Sequence, residues 1–259
     1  MHRAAYAALG LDFAYIPFGI QGDLEGALRG MRALGIRGFG ISMPYKQQVL
    51  SFLDRLDGLA QRVGAVNTVV NEEGTLVGYN TDAAGAVAAL EECRTLAGAR
   101  ILLVGAGGAA RAVAHGVLEA GARVLHIANR SPERAGSLAS ELLASYGSGA
   151  RVESSGLDAL GGVASFDILI NASSAGMTGH GEFPWQPAEC AAGLLVMDVV
   201  YRPLESALVR RCRAVGQPVI GGGRMLLHQA ARQFELYTGC SAPLTDMASA
   251  LEMALAHRS

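Results

Sequence analysis

Lys46 is the side chain of this sequence best suited to proton transfer, because it is the only lysine among 21 lysine and arginine residues. An arginine guanidinium stays protonated at any usable pH, whereas a lysine ammonium can be tuned to release and regain a proton. A chain that uses arginine at every other such position and keeps one lysine therefore favours a chemical role for this amine. The alternative is that biased coding left one surface lysine by chance.

Three polar clusters lie in the first half of the sequence, each at or beside the end of a predicted strand, where clefts form in α/β folds. They are Ser42–Lys46, Gly64–Thr68 and Tyr79–Asp82. An amine, an amide and a carboxylate beside one cofactor suit hydride transfer to a polyhydroxy ketone. In such a reaction Asn67 and Asp82 would hold hydroxyl groups, and Lys46 would protonate the developing alkoxide.

A glycine-rich turn predicts a dinucleotide site in the second half of the chain. The pattern G-x-G-x-x-A is fitted by a run between a predicted strand and a predicted helix, namely Gly105, Ala106, Gly107, Gly108, Ala109 and Ala110. The first glycine makes the tight turn, the second lets a pyrophosphate approach the backbone, and the last small residue lets helix and strand pack closely. The free N–H groups of the helix then face the phosphates. The alternative is a turn with only a structural role.

The end of the next strand favours NADP over NAD. An NAD site usually has Asp or Glu there, which accepts hydrogen bonds from the ribose hydroxyls. Here the strand ends in Asn129, Arg130 and Ser131, Arg134 follows one turn later, and we expect no competing carboxylate. Guanidinium groups and a hydroxyl suit a 2′-phosphate. The alternative is that the two arginines belong to a solvated surface.

The elements that must position these groups change in pattern near residue 100. Before it, the sequence predicts a short strand at 13–18, a helix at 23–34, a strand at 37–42, a β-hairpin at 65–80 and an alanine-rich helix from just after Asp82 to about Cys93. After it, apolar strands alternate with helices. The predicted strands are 101–104, 124–128, 150–153, 167–170, 194–200 and 218–220, and the predicted helices are 107–120, one that starts at Ser131-Pro132-Glu133, and a last one from about Met225 to Tyr237.

This pattern predicts an α/β protein with two domains. Alternating strands and helices indicate a parallel sheet covered on both faces, so residues 83–224 are predicted to form a Rossmann domain that binds NADP. Residues 1–82 are predicted to form a smaller α/β domain for the substrate. That domain is discontinuous, because we expect residues 225–259 to pack back on it.

Composition excludes several other classes of protein. With 51% hydrophobic and 17% charged residues, the 259-residue chain has ample material for a buried core. A net charge of −2 without a basic block argues against nucleic acid. The four widely spaced cysteines (Cys93, Cys190, Cys212 and Cys240) indicate free thiols and no metal site. The sequence shows neither a membrane-spanning run nor a signal pattern, which predicts a soluble, cytoplasmic protein.

Ordered motifs along nearly the whole chain resemble those of the shikimate dehydrogenase family. In the first half they are Ser42-x-Pro44-x-Lys46 for the family's TxPxK, Gly64–Thr68 for GAVNT and Asn80–Asp82 for NTD. In the second half they are GAGGAAR at Gly105–Arg111, NR[ST] at Asn129–Ser131, NATxxGM at Asn171–Met177, DxxYxP at Asp198–Pro203 and GxxMLxxQ at Gly222–Gln229.

The resemblance implies reversible reduction of 3-dehydroshikimate to shikimate with NADPH, on the path to aromatic amino acids. It implies that Lys46, paired with Asp82, donates the proton and takes it back. It further implies substrate contacts at Ser42, Asn67, Tyr201 and Gln229. Cofactor contacts are implied at the glycine-rich turn, at the end of the next strand, and at Ala172, Ser173, Val199, Gly222 and Met225.

Departures from the family leave the substrate open. The family begins with a strand and a Ser-x-Ser turn that holds the substrate carboxylate, and both are absent here. Either the start is truncated, or the ligand is bound differently, with Arg3 as a possible substitute clamp. Ser42 replaces Thr and Gly40 replaces Asn. These features look like the shikimate dehydrogenase-like branch, whose members keep the fold but are poorer catalysts on shikimate.

Two other functions therefore stay open beside the leading one. One is a quinate- or aminoshikimate-type dehydrogenase, and the other is a non-catalytic NADP-binding homologue such as a sensor. The presence of both Lys46 and Asp82 favours an enzyme, whereas the absent Ser-x-Ser turn favours a sensor or another substrate. In each case we expect a small-molecule ligand and a monomer or homodimer.

Overall fold

The chain divides into two units, each with its own sheet. The computed structural model describes residues 1–186 and 193–256, so Cys190 lies outside the described residues. The first unit comprises Met1–Ala84 and the described residues from Leu227 to Ala256, and the second comprises Gly85–Leu226. Within the described residues, Cys93, Cys212 and Cys240 form no disulfide.

The first unit is built on a four-stranded sheet of order β1-β3-β4-β2. Its strands are β1 (Gly38–Gly40), β2 (Arg55–Leu56), β3 (Thr68–Glu72) and β4 (Thr75–Tyr79). The predicted hairpin is confirmed as β3 and β4, joined by Glu73 and Gly74, which both have positive φ (51° and 95°). Such a two-residue turn follows the twist of the paired strands. The hairpin thereby fixes the register at its open end, where Thr68 lies opposite Tyr79.

The helices of the first unit pack in two groups. They are α1 (His2–Ala8), α2 (Leu24–Ala33), α3 (Gly58–Val63), the start of α4 (Thr81–Glu91), most of α8 (Gly222–Thr238) and α9 (Leu244–Ala256). Aspartates cap two of them, since Asp23 accepts from the Gly26 N–H and Asp57 from the Ala60 N–H, both at 2.7 Å. One apolar cluster joins α2 to the sheet, and a second joins α1, α8 and α9.

The second unit contains a fully parallel six-stranded sheet of order β10-β9-β8-β5-β6-β7. Its strands are β5 (Arg100–Val104), β6 (Val124–Ala128), β7 (Arg151–Ser155), β8 (Ile168–Asn171), β9 (Leu195–Asp198) and β10 (Val219–Ile220). Side chains alternate between the faces, so Ile101 and Leu103 enter one buried cluster while Leu102 and Val104 enter another. The predicted parallel sheet with two covered faces is confirmed.

Helices and one 3-10 segment connect these strands. They are α5 (Gly108–Glu119), α6 (Pro132–Tyr146), the 3-10 segment Leu157–Ser165 and α7 (Ala207–Ala214). Because all six strands run in the same direction, their carboxyl ends share one edge of the sheet. The glycine-rich turn after β5 lies at that edge. Within residues 1–186 and 193–256, no helix has both the length and the apolar character required to cross a bilayer.

Three sequence predictions differ from the structure. Residues 13–18 form no strand, because none of their backbone groups joins a ladder in the described chain, and Pro17 lacks an N–H. Helix α8 begins at Gly222 rather than near Met225, and it is not the last helix, because α9 follows it. Finally, the sequence predicted no helix at α1, which is seven residues long and whose N-cap, Met1, provides no side-chain cap.

Candidate active site

A lysine–aspartate ion pair lies in the first unit. The Lys46 Nζ donates a hydrogen bond to Asp82 Oδ2 at 2.5 Å. The two side chains are 32% and 20% exposed, so a ligand can reach the pair although the protein covers most of it. Asp82 lies in the first turn of α4, where the free N–H groups and the helix dipole stabilise a negative charge. The structure thus joins an ammonium proton donor to a carboxylate.

Asn67 holds the second oxygen of that carboxylate. Its Nδ2 donates to Asp82 Oδ1 at 2.9 Å and to Thr81 Oγ1 at 3.0 Å. Its Oδ1 accepts from the Thr81 backbone N–H at 2.8 Å. Because a backbone N–H can only donate, this bond decides which end of the Asn67 amide faces Asp82. Asp82 is therefore held through both of its oxygens.

Backbone hydrogen bonds bring the three polar clusters together. The Lys46 carbonyl accepts from the Val66 N–H at 2.8 Å, which joins the loop after β1 to the turn before β3. The Asn67 N–H donates to the Tyr79 carbonyl at 3.1 Å. Asn80 completes the arrangement, because its Oδ1 accepts from the Ala83 N–H at the start of α4 and its Nδ2 donates to the Ala65 carbonyl. Side chains distant in sequence are thus fixed by the backbone on which they stand.

The other predicted substrate residues belong to both units. Gln229, on α8, is joined to the ion pair through Thr81, whose Oγ1 donates to Gln229 Oε1 at 3.5 Å. Ser42 is exposed in the loop after β1, and its carbonyl accepts from the Tyr45 N–H. Tyr201 belongs to the second unit, where the residue is 39% exposed and the centre of its ring lies 5.9 Å from the Arg202 guanidinium carbon.

The glycine-rich turn of the second unit has the conformation that its sequence predicts. Gly105 has a φ of +121°, and a Cβ there would lie 2.7 Å from the Ala172 carbonyl oxygen and 3.0 Å from the Ser173 nitrogen. Gly107 and Gly108 have open space where a Cβ would point, so their backbone is accessible at the start of α5. Ala106, which is half-buried, and Ala109, which is exposed, complete the turn. An anion can therefore approach these N–H groups closely.

The end of β6 differs in one respect from the sequence prediction. Arg130 and Arg134 are both exposed, and Asn129 Nδ2 donates to the Ser131 carbonyl at 3.0 Å. Ser131 precedes α6, but its hydroxyl donates to Glu133 Oε2 at 2.7 Å instead of capping the helix. A carboxylate therefore does compete there, and the hydrogen bond from Ser131 holds the pKa of Glu133 below its usual value.

The remaining predicted cofactor residues lie at the carboxyl edge of the same sheet. Ala172 and Ser173 follow β8 and face Gly105, as described above. Val199 follows β9, and its carbonyl oxygen lies so close to Gly222 that a Cβ on residue 222 would overlap it. Only glycine therefore fits at position 222. Met225 is buried in the cluster against which Ala106 and Val199 pack. The structure thus gathers these residues around the turn after β5.

Asp198 organises that edge, a role that the sequence motif DxxYxP does not by itself indicate. The fully buried carboxylate accepts from Asn171 Nδ2 at 2.9 Å, from the Val200 N–H at 3.1 Å and from the Ser206 hydroxyl. Burial raises the pKa of Asp198, and these three hydrogen bonds oppose the rise. Asp198 therefore ties the loops after β8 and β9 together. Within the described ranges, no group of three or more His, Cys, Asp or Glu is placed to hold a metal ion.

Three family profiles match the chain. The profile of the shikimate dehydrogenase substrate binding domain matches residues 1–69, that of shikimate / quinate 5-dehydrogenase matches residues 87–178, and that of the shikimate 5'-dehydrogenase C-terminal domain matches residues 222–252. Together the three matches extend over most of the chain, and they cover both units.

Individual proteins agree with these profiles. The shikimate dehydrogenase (NADP(+)) of Methanothermobacter thermautotrophicus is 40% identical over 264 residues, covering 98% of this chain and 91% of that protein. The crystal structure of shikimate 5-dehydrogenase from Thermus thermophilus with NADP(H) and shikimate is 35% identical, with a TM-score of 0.85 over 98% of this chain and 93% of that one. The ligand-free 5-ketofructose reductase of Gluconobacter sp. strain CHM43 is 32% identical, with a TM-score of 0.90 over 98% and 92%.

Proposed function

Because the chain belongs to the shikimate dehydrogenase family, we propose that it reversibly reduces 3-dehydroshikimate to shikimate with NADPH. The observation that carries this proposal is the Lys46–Asp82 pair, held at 2.5 Å and oriented by Asn67. An amine that can exchange a proton, fixed on a carboxylate and open to a ligand, is what reduction of a ketone requires.

The proposed chemistry needs one proton donor from the protein. Reduction of a ketone adds a hydride to carbon and a proton to oxygen, and bound NADPH supplies the hydride. The Lys46 ammonium donates its proton to the developing alkoxide, while Asp82 holds the ammonium in place. In the reverse direction the neutral amine accepts the hydroxyl proton. Asn67 and Gln229, joined to this pair by hydrogen bonds, are proposed to bind substrate hydroxyls, and Ser42 and Tyr201 to contact the substrate.

The second unit fits NADP. Gly105 makes the tight turn, in close contact with Ala172. The open space at Gly107 and Gly108 leaves room for a pyrophosphate at the start of α5. We propose that Arg130 and Arg134 bind the 2′-phosphate, since both are exposed beside the end of β6. Glu133, which accepts the hydroxyl hydrogen of Ser131, would oppose an anion there. The two guanidinium charges outnumber this single carboxylate.

The test follows NADPH absorbance with shikimate, quinate and aminoshikimate as substrates of the wild-type protein. We expect oxidation of shikimate with NADP⁺, and a fall in kcat of about 10²–10⁴-fold in Lys46→Arg, because guanidinium keeps the charge but cannot release the proton. Arg55→Ala is the matched control, since it removes an exposed ion pair with Glu72 from the same unit and should leave kcat unchanged.

Other results of this assay would point to a different substrate, to a protein without catalytic activity or to a different role for Lys46. If the protein oxidises quinate or aminoshikimate but not shikimate, the proposed substrate is wrong and the compound that is oxidised takes its place. Binding of NADP⁺ without turnover of any of the three would favour the non-catalytic homologue. A Lys46→Arg variant with wild-type kcat would refute the acid–base role.

The oligomeric state, monomer or homodimer, and the cytoplasmic location stay predictions.

A further inference from the structure

We infer that Thr68 and Gln233 are positioning residues that fix the side-chain amide of Asn67 against the Lys46–Asp82 pair, an inference that rests on the proposed function. Thr68 is 0% exposed, Asn67 is 3% exposed and Gln233 is 6% exposed. Polar groups buried to this degree need hydrogen-bond partners, and losing one is costly. Their donors and acceptors can therefore be assigned one by one.

The Gln233 amide has one allowed orientation. Its Nε2 lies 3.3 Å from the Asn67 backbone carbonyl oxygen, which can only accept, and 2.9 Å from Thr68 Oγ1. Nε2 therefore donates to both, and Oε1 faces the other way, 3.3 Å from His2 Nε2. Burial lowers the pKa of His2 to about 4, so the imidazole is neutral at pH 7. Its single N–H must be on Nε2, because Oε1 can only accept.

The direction of the Thr68 hydroxyl follows from that of Gln233. Since Oγ1 accepts from Gln233, its hydrogen is free for Asn67 Oδ1 at 3.0 Å, and the Thr81 hydroxyl at 3.3 Å is the longer alternative. Asn67 Oδ1 then accepts from both Thr68 and the Thr81 N–H, which leaves Nδ2 to donate to Asp82. The chain of hydrogen bonds runs from His2 on α1, through Gln233 on α8, to Asp82 on α4.

This arrangement matters because a rotated Asn67 amide would place Oδ1 beside the Asp82 carboxylate. Removing the Thr68 hydroxyl deletes the shortest hydroxyl donor to Asn67 Oδ1, at 3.0 Å, and leaves the Thr81 N–H at 2.8 Å and the longer contact of the Thr81 hydroxyl at 3.3 Å. It also leaves Gln233 Nε2 without one of its acceptors. Asp82 would then hold Lys46 in a less defined geometry. Errors of about 1 Å at a reacting group can reduce rates by roughly 10²-fold.

The test compares Thr68→Val with Thr68→Ser. Valine keeps the shape of threonine and lacks the hydroxyl, whereas serine keeps the hydroxyl and lacks the methyl group. We expect kcat/KM for shikimate to fall about ten- to a hundredfold in Thr68→Val and to recover to within about threefold of wild type in Thr68→Ser. Thr75→Val makes the same change at the opposite end of the hairpin, paired with Glu72, and serves as the matched control.

A second measurement separates this inference from the proposed function. The two Asn67 Nδ2 protons, observed by ¹⁵N NMR of the full chain, should lose protection from solvent exchange in Thr68→Val and keep it in Thr68→Ser. If the wild type does not oxidise shikimate but this difference appears, the substrate is wrong and the positioning stands. If both variants resemble the wild type in exchange, or if serine restores nothing, the inference is overturned.

Discussion

Arg130 is the single residue at which the choice of cofactor can be tested most directly. It is exposed at the end of β6, where an NAD-binding protein would usually carry a carboxylate. We expect Arg130→Asp to reverse the preference for NADP over NAD, because the substitution removes a charge-assisted contact of about 1.5–3 kcal/mol and supplies an acceptor for the ribose hydroxyls. The measurement is the ratio of kcat/KM values for the two cofactors.

Arg123→Asp is the control for that substitution. Arg123 is exposed and precedes β6, so it lies at the opposite edge of the sheet from the glycine-rich turn. The same change of charge there should leave the cofactor ratio near that of the wild type. Equal ratios in Arg130→Asp and the wild type would remove Arg130 from the 2′-phosphate site.

At the scale of single residues, the sequence gives information where a local motif carries it. Lys46 was singled out by residue usage, and the family resemblance predicted its pairing with Asp82, which the structure shows. The hydrogen bond from Asn67 to Asp82 was not predicted, because the sequence assigned both side chains to substrate hydroxyls. The bond between Thr68 and Gln233 could not be anticipated, because 165 positions separate them and each looks like an ordinary polar residue. The partner of the Ser131 hydroxyl could not be anticipated either. A serine at this position can cap the helix or donate a hydrogen bond to Glu133, and the sequence does not decide between the two.

At the scale of elements, the junction between β5 and α5 depends on Gly105. Its φ of +121° disfavours any side chain, and a Cβ would lie 2.7 Å from a backbone oxygen that cannot easily move. We expect Gly105→Ala to lower the free energy of unfolding by about 2–5 kcal/mol, the combined cost of backbone strain and overpacking. Urea denaturation of the second unit, followed by the fluorescence of Trp185, would measure it.

Gly136→Ala makes the same substitution inside α6. A Cβ there would lie 3.8 Å from Ser154 Oγ, which is ordinary contact. Alanine has the higher helix propensity, so we expect this variant to be more stable than the wild type by about 0.5–1 kcal/mol. Equal losses of stability in the two variants would show that the strain at Gly105 is unimportant.

The sequence predicted elements best where the pattern is long and the partners are near. The repeated strands and helices of the second unit supply both, and their parallel sheet was predicted correctly. Residues 13–18 have β-forming side chains, yet a strand also needs a neighbour with free N–H and C=O groups, which a local pattern does not show. Helix α9 was missed although Pro243 precedes it and Leu244, Met247, Ala248 and Leu251 recur at helical spacing, so the signal for it was present in the sequence.

At the scale of the whole molecule, the two units should respond to different ligands. The chain crosses between them within α4 and within α8. We expect NADP⁺ alone to slow amide hydrogen exchange in Gly85–Leu226, and shikimate alone to slow it in Met1–Ala84. At a ligand concentration of about 100 Kd, the stabilisation is about 2.7 kcal/mol for amides that exchange through unfolding of the occupied unit. Protection by NADP⁺ confined to the first unit would contradict the assigned roles.

The single lysine also makes amine-directed labelling of this molecule unusually selective among its side chains. Amine-directed reagents meet one side-chain target in all 259 residues, and that target is partly exposed at the proposed centre of catalysis. A lysine-specific protease likewise has one internal cleavage point. A covalent tag on this side chain can therefore report on occupancy of the site without mutagenesis, because none of the twenty arginines carries a competing side-chain amine.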